Sequence, residues 1–183
     1  IQGYYIGGGQ MQPVLMNQGV GSSSTDVDNV TVELHDASDA TIISATATGV
    51  LQTDGTLSVT FPGSINGNSY YIEVKHRNSI QTASAAPVTM SSVTSYDFTT
   101  DASQAYGNNM AEVEPGVWTL FTGDLNQDGF IDVFDFPDYD LDNFNLVSGS
   151  YVASDFNGDG FVDVFDFPVY DGNNFNLVSA ILP

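Results

Sequence analysis

The sequence has no cysteine, and its only fixed positive charges are Lys75 and Arg77, set against 23 acidic residues for a formal net charge of −21. The first absence excludes disulfides, a thiolate nucleophile and cysteine-ligated zinc together. The second excludes a basic surface for phosphate, because a field of this sign repels nucleic acid and anionic lipid while attracting divalent cations. No apolar run approaches the roughly 20 residues of a membrane helix, so no membrane span is expected. Signal-like sequence is missing too, and the chain opens on Ile1, which predicts a mature or excised product. Charged residues make up only 14% and hydrophobic ones 42%, so the 183 residues have the apolar content to fold as one large domain or two small ones.

Residues 1 to about 100 read as strands separated by turns. Val30, Val32 and Leu34 alternate with Thr31, Glu33 and His35, and the same alternation runs through Leu57–Phe61 and Tyr70–Val74. Further strands are expected at Gly3–Ile6, Pro13–Met16, Thr41–Thr46, Pro87–Met90 and Ser95–Thr99. Asp54-Gly55, Pro62-Gly63 and Asn66-Gly67-Asn68 mark turns between them. Helical period is lacking throughout this region. The expectation is an all-β, immunoglobulin-like sandwich over 1–100. Residues 101–122 follow as a polar connection with one further strand at Val117–Phe121.

From residue 123 to 183 the sequence repeats itself. DLNQDGFIDVFDFPDYDLDNFNLVS from Asp124 recurs as DFNGDGFVDVFDFPVYDGNNFNLVS from Asp155. Each copy fits the calcium-loop pattern D-x-[DN]-x-D-G. Asp124, Asn126 and Asp128 stand at loop positions 1, 3 and 5, Phe130 offers a backbone carbonyl at position 7, and Asp132 and Asp135 fill positions 9 and 12. Asp155, Asn157, Asp159, Phe161, Asp163 and Asp166 hold the same places in the second copy.

Calcium takes six to eight oxygens, so the chain must wrap around it with alternate side chains turned inward. Gly129 and Gly160 at position 6 allow the sharp bend. The crowded aspartates repel one another until a dication sits among them, which couples metal binding to folding. Numerous all-protein oxygen ligands favour two calcium ions over magnesium, and the loops hold no His or Cys for zinc. Ile131 and Val162 at position 8 are apolar, as expected if the two loops pair backbone to backbone.

GDLNQDGFIDVFD and SDFNGDGFVDVFD resemble the duplicated F-hand calcium repeats of type I dockerin modules, in which a loop is followed by one helix. More broadly, YYIEVKHRNSIQTASAAPV, YDFTTDASQAYGNNMAEVEPGVW and the repeats together resemble a recurrent C-terminal module of Bacteroidetes surface and secreted proteins. The resemblance implies a dockerin-like tandem calcium module over 123–183 and brings no catalytic activity. Two departures follow. Loop positions 10 and 11, where dockerins usually carry polar recognition residues, are Val133-Phe134 and Val164-Phe165, which argues against cohesin as the partner. Pro137 and Pro168 suit only a helix's first turn, so short helices are expected at Tyr139–Phe144 and Tyr170–Phe175. The VFDFP segments are expected to pack inside the pair of repeats, against the sandwich, or against a neighbouring chain.

His35 and His76 lack metal-ligand spacing and are read as surface or strand-packing residues. Lys75-His76-Arg77 is either an anchor for the acidic repeats or an ordinary strand end. Tyr4, Tyr5, Tyr70, Tyr71 and Trp118 are candidates for a sugar-stacking platform, although adjacent strand residues face opposite ways. The N-terminal IQGYYIGGGQMQPVL is either the first strand of its own sandwich or a strand that completes a neighbour's sheet. No nucleophile elbow, phosphate loop or zinc-protease motif is present, and the metal loops absorb the clustered aspartates, so an enzyme is not expected. Sites of about 10⁻⁴–10⁻³ M would fill only outside the cell, which places the protein extracellularly or at the cell surface. Three roles remain: a subunit of a calcium-stiffened fibre or stalk in contact with other protein subunits, an anchoring module of a larger protein, or a carbohydrate-binding sandwich.

Overall fold

A computed structural model describes residues 1–183. Its largest element is an antiparallel sheet of β3 (Asp26–Asp36), β4 (Ile43–Gln52), β5 (Ser69–His76), β6 (Ser79–Ala83) and β7 (Val88–Thr89). The order is β4-β3-β5-β6, with β7 also pairing with β5. Register sets Val32 opposite Val74 and Leu34 opposite Ile72, so the alternation read in the sequence becomes one apolar face. Val32, Leu34, Tyr70 and Ile72 are buried there with Ile65 and Met90.

Leu57, Val59, Phe61, Tyr96 and Phe98 close that face from the other side. They do so without forming strands: the ones expected at Leu57–Phe61 and Ser95–Thr99 are not paired into a ladder. A Cβ on Gly49 of β4 would lie 2.8 Å from both Leu57 Cδ1 and Ser58 O, so this segment lies directly across the sheet. Extended chain alternates its side chains whether or not its backbone is paired, which is why the pattern overstated the ladder. The region is a two-layer β fold with a regular sheet on one side only.

Other expected strands shift or change type. Pro13–Met16 falls on a short helix, α1 (Val14–Asn17), and the expected Gly3–Ile6 strand becomes β1 (Tyr5–Gly7) in a hairpin with β2 (Gln10–Met11). Gly7, Gly8 and Gly9 turn this hairpin at φ of +100°, +64° and +72°, conformations open to glycine. The segment is therefore not a strand of the main sheet. Tyr4, Met11, Val14 and Val27 form its own buried cluster with Ile1. The expected strand at Val117–Phe121 is β9 (Val117–Thr119), and the polar connection before it contributes β8 (Ala111–Glu114) as its hairpin partner.

Many aspartates outside the repeats build turns. Asp36, Asp39, Asp54 and Asp97 each accept hydrogen bonds from the backbone N–H and hydroxyl of the Ser or Thr two residues on. Those bonds hold the Asp36 and Asp54 carboxyls below their ordinary range. The acidic surplus thus has a structural use unconnected with metal.

Each repeat is a loop followed by a helix, α2 (Phe136–Phe144) and α3 (Phe167–Phe175). Both helices start earlier than expected because Pro137 and Pro168 fit within the first turn, where no N–H is needed. Ile131, Tyr139, Phe156, Val162 and Tyr170 form the shared core, and Ile80 from β6 enters it. No helix is long and apolar enough to cross a membrane.

Candidate metal centre

The two loops follow one plan. Gly129 and Gly160 bend them at φ of +86° and +92°. In the first loop Asp124 accepts the N–H of Asp128 and of Gly129, both at 3.1 Å. Asp135 reaches back to accept N–H bonds from Leu125 at 2.7 Å, Asn126 at 3.1 Å and Asp132 at 2.9 Å. In the second loop Asp155 accepts from Gly158 at 2.7 Å and Gly160 at 2.9 Å, and Asp166 accepts from Asn157 and Asp163 at 2.9 Å each. Asn126 and Asn157 accept the N–H of Asp128 and Asp159, whose own carboxylates accept from Phe130 and Phe161. Asp132 and Asp163 accept from Phe134 and Phe165. Every expected ligand therefore lies on a closed loop, with the carboxylates of positions 1 and 12 pinned by backbone donors.

Asp124, Asp135, Asp155 and Asp166 are each fully buried, and no Lys, Arg or His forms an ion pair with any of them. Burial raises the Asp124 carboxyl to about 6, with Asp135 and Asp128 adding repulsion. Asp155 and Asp166 are also raised to about 6, by burial first and then by neighbouring carboxylates. Burying a charge without compensation costs several kcal/mol, so these residues fit a bound dication and fit its absence poorly. An all-oxygen donor set of Asp, Asn and Phe carbonyl suits calcium.

The loops do not pair with each other, contrary to the expectation for Ile131 and Val162. Ile131 N–H donates to Val178 O, and Val162 N–H donates to Val147 O, both at 2.9 Å. Each loop thus pairs with the segment that leaves the other repeat's helix. Tyr139 OH donates to Asp163 O at 2.8 Å, and Tyr170 OH donates to Asp132 O at 2.7 Å. The repeats are joined by exchange.

The surroundings differ. Gly158 of the second loop is buried against the N-terminal segment, where an added Cβ would meet Val14 Cγ2 at 2.5 Å and the Tyr4 ring at 2.8 Å. Gln18 Nε2 donates to Asp155 at 3.1 Å, and Gln12 donates to Asn157 O. In the first loop the equivalent of Gly158 is Gln127, an exposed residue at φ +59° whose amide donates to Asp124 O at 2.6 Å.

The Lys75-His76-Arg77 segment divides its work. Arg77 pairs with buried Asp28, donates to Tyr4 OH at 2.7 Å and to Val152 O at 3.3 Å. Neighbouring Asn78 donates to Asp155 O at 3.3 Å. This strand end does anchor the second repeat, through an arginine held by its own sheet. His76 is buried in the same network, with Asp28 and Asn78 on its two nitrogens. Burial lowers its pKa, and the Asp28 carboxylate opposes that shift.

The tyrosines do not assemble a platform. Tyr4 is buried in the N-terminal cluster, Tyr70 is buried in the sheet core, and Tyr71 packs edge-on against Tyr106. Nor are the VFDFP segments covered. Val133, Phe134, Val164 and Phe165 are exposed by 64–73%, and only Phe136 and Phe167 turn toward the shared tyrosines.

No family model and no curated protein matches this sequence. Among solved structures, two chains overlay on it, from a C-terminal and an N-terminal interface mutant of a type II cohesin–X-dockerin complex of Acetivibrio cellulolyticus. The overlays have TM-scores of 0.48 and 0.47 at 16% identity and cover 81% of this chain and 82% of theirs. A likeness of that size decides neither family nor function.

Proposed function

We propose that this chain is a non-catalytic, calcium-stapled docking module of an extracellular assembly, with a dockerin-like pair of repeats as its contact face. Two ions would be held by Asp124, Asn126, Asp128, Phe130, Asp132 and Asp135 and by Asp155, Asn157, Asp159, Phe161, Asp163 and Asp166. Calcium would supply the counter-charge that lets the buried carboxylates stay ionised. The protein's own residues shape the rest, presenting the same apolar side chains twice.

The observation that carries the reading is a pair of leucines. Leu146 and Leu177 each follow a helix at φ of +51° and +54°, a left-handed conformation that costs a branched residue about 1 kcal/mol and costs glycine little. The bonds around them, Val147 N–H to Asp142 O and Val178 N–H to Asn173 O, form a helix-ending motif in which glycine is the usual residue. Yet both side chains are about four-fifths exposed, at 77% and 80%, next to Phe144 at 83% and Phe175 at 85%. Folding has no use for a strained, solvent-facing leucine. A partner does.

The test separates folding from docking. In saturating calcium, the double variant Leu146→Gly/Leu177→Gly should keep or raise the melting temperature while losing association with its assembly partner or with other copies of itself. A lowered melting temperature would make the leucines folding residues and end the reading.

The fibre reading keeps one support of its own. β4 is an edge strand, it contains neither Lys nor Pro, and Ile42 and Ile43 at its start are half exposed, so its outer edge is open to a strand from another chain. Calcium-dependent filaments in electron micrographs of the purified chain would select it, and monomers at high concentration would select the anchor.

A further inference from the structure

We propose that Glu33, His35 and Glu73 form a third metal site, for a single zinc-class divalent ion, with Lys75 as a displaceable counter-charge. Glu33 and His35 lie two apart on β3 and so share one face, opposite the face that holds Val32 and Leu34. Register places Glu73 of β5 directly across from Glu33. Like charges set opposite each other destabilise a sheet unless a cation lies between them. All three side chains are largely buried, Glu73 being only 4% exposed and His35 9%.

The histidine is arranged as a ligand. His35 Nδ1 lies 2.6 Å from Ala40 O, so Nδ1–H donates to that carbonyl and the lone pair is left on Nε2. Nε2 is buried with no hydrogen-bond partner. It points between the carboxylates, 3.4 Å from Glu33 Oε2 and 3.4 Å from Glu73 Oε2. Donors about 2.0–2.1 Å from a tetrahedral ion stand roughly 3.3–3.4 Å apart, which matches both nitrogen–oxygen spacings here. One nitrogen and two carboxylates suit zinc and its neighbours in the first transition row, and the nitrogen disfavours calcium.

Lys75 occupies the carboxylate side, with Nζ 2.6 Å from Glu33 Oε2 and 3.2 Å from Glu73 Oε1. One lysine leaves one of the two buried negative charges unbalanced, whereas a dication with neutral histidine balances both. The lysine side chain is 29% exposed and has room to swing into solvent. Protonated His35 beside Lys75 is the competing arrangement, and it binds no metal.

Zinc titration of the full chain by calorimetry, with the acidic loops saturated by calcium, distinguishes the two. Expected is one zinc per chain, abolished by His35→Gln and by Glu73→Gln, and tightened about tenfold by Lys75→Met, which removes the competing charge. Cobalt should bind at the same place with the intense visible bands of a tetrahedral ion, lost in His35→Gln. His76 has both ring nitrogens engaged, so no second histidine stands in for His35. No zinc heat in wild type or in Lys75→Met, or binding that survives His35→Gln, overturns the site. Lys75→Met keeps all three ligands, so it tests the proposal even if a ligand variant fails to fold.

Discussion

The two loops share their expected ligand residues and differ in what lies behind them. The first is held by its own repeat and by the segment and tyrosine of the second, with Gln127 folded back over it in solvent. The second is sealed by Tyr4, Val14 and Gln18 from the N-terminal segment and tied to the turn between β5 and β6 through Asn78. The same set of expected ligands is thus coupled to different amounts of fold. An ion in the first loop would order the pair of repeats, while an ion in the second would also order the chain's beginning.

Removing one ligand from each loop should break the symmetry most visibly. Asp128→Ala and Asp159→Ala should each cost one bound calcium, about 2.7 kcal/mol at a calcium concentration about a hundred times Kd. Only Asp159→Ala should also lose amide-exchange protection across residues 1–21. Equal exchange in the two variants would show that the N-terminal segment does not sense the second loop.

Exchanging the residues at the point of difference should sharpen the comparison. Gly158→Gln should destabilise by about 1–3 kcal/mol, because its side chain has to displace Val14 and Tyr4. The reverse change, Gln127→Gly, relieves a left-handed glutamine and should shift stability by less than about 1 kcal/mol. Chemical denaturation of both in calcium checks this, and similar losses would remove the N-terminal segment from the account.

Another effect concerns protons. In chelator, Asp124, Asp155 and Asp166 titrate near 6 when folded, above the ordinary aspartate value of 3.8, so the folded chain binds protons that the unfolded chain does not. Stability of the metal-free protein should therefore rise as pH falls from 7 to 5 and be lost again as pH climbs through 6. Calcium affinity should move the other way, weakening below about 6 as protons compete. Thermal melts in chelator and in calcium across this range check both signs, and parallel trends would contradict the burial of these carboxylates.

The closed loops were legible because duplication displayed the same spacing of Asp, Asn and Gly twice. The main sheet was legible from the alternation in β3 and β5. What covers it was not, since the segments through Val59 and Phe98 alternate without pairing. Pairing across the repeats escaped because backbone partners leave no mark on residue identity, and Val147 and Val178 look like any apolar residue after a helix. The third cluster was hidden by distance along the chain. Glu33 and His35 are two apart, but Glu73 meets them only through the register of β3 and β5. Leu146 and Leu177 gave no signal at all, because only the backbone angle makes a leucine there unusual.

The tyrosine exchange between the repeats bears on inheritance. Tyr139 ends on the second loop and Tyr170 on the first, so neither copy is complete by itself. Recombination that cut the gene between the copies would deliver two incomplete halves. The pair, and not the single repeat, is the least that natural shuffling or a protein engineer would have to move together.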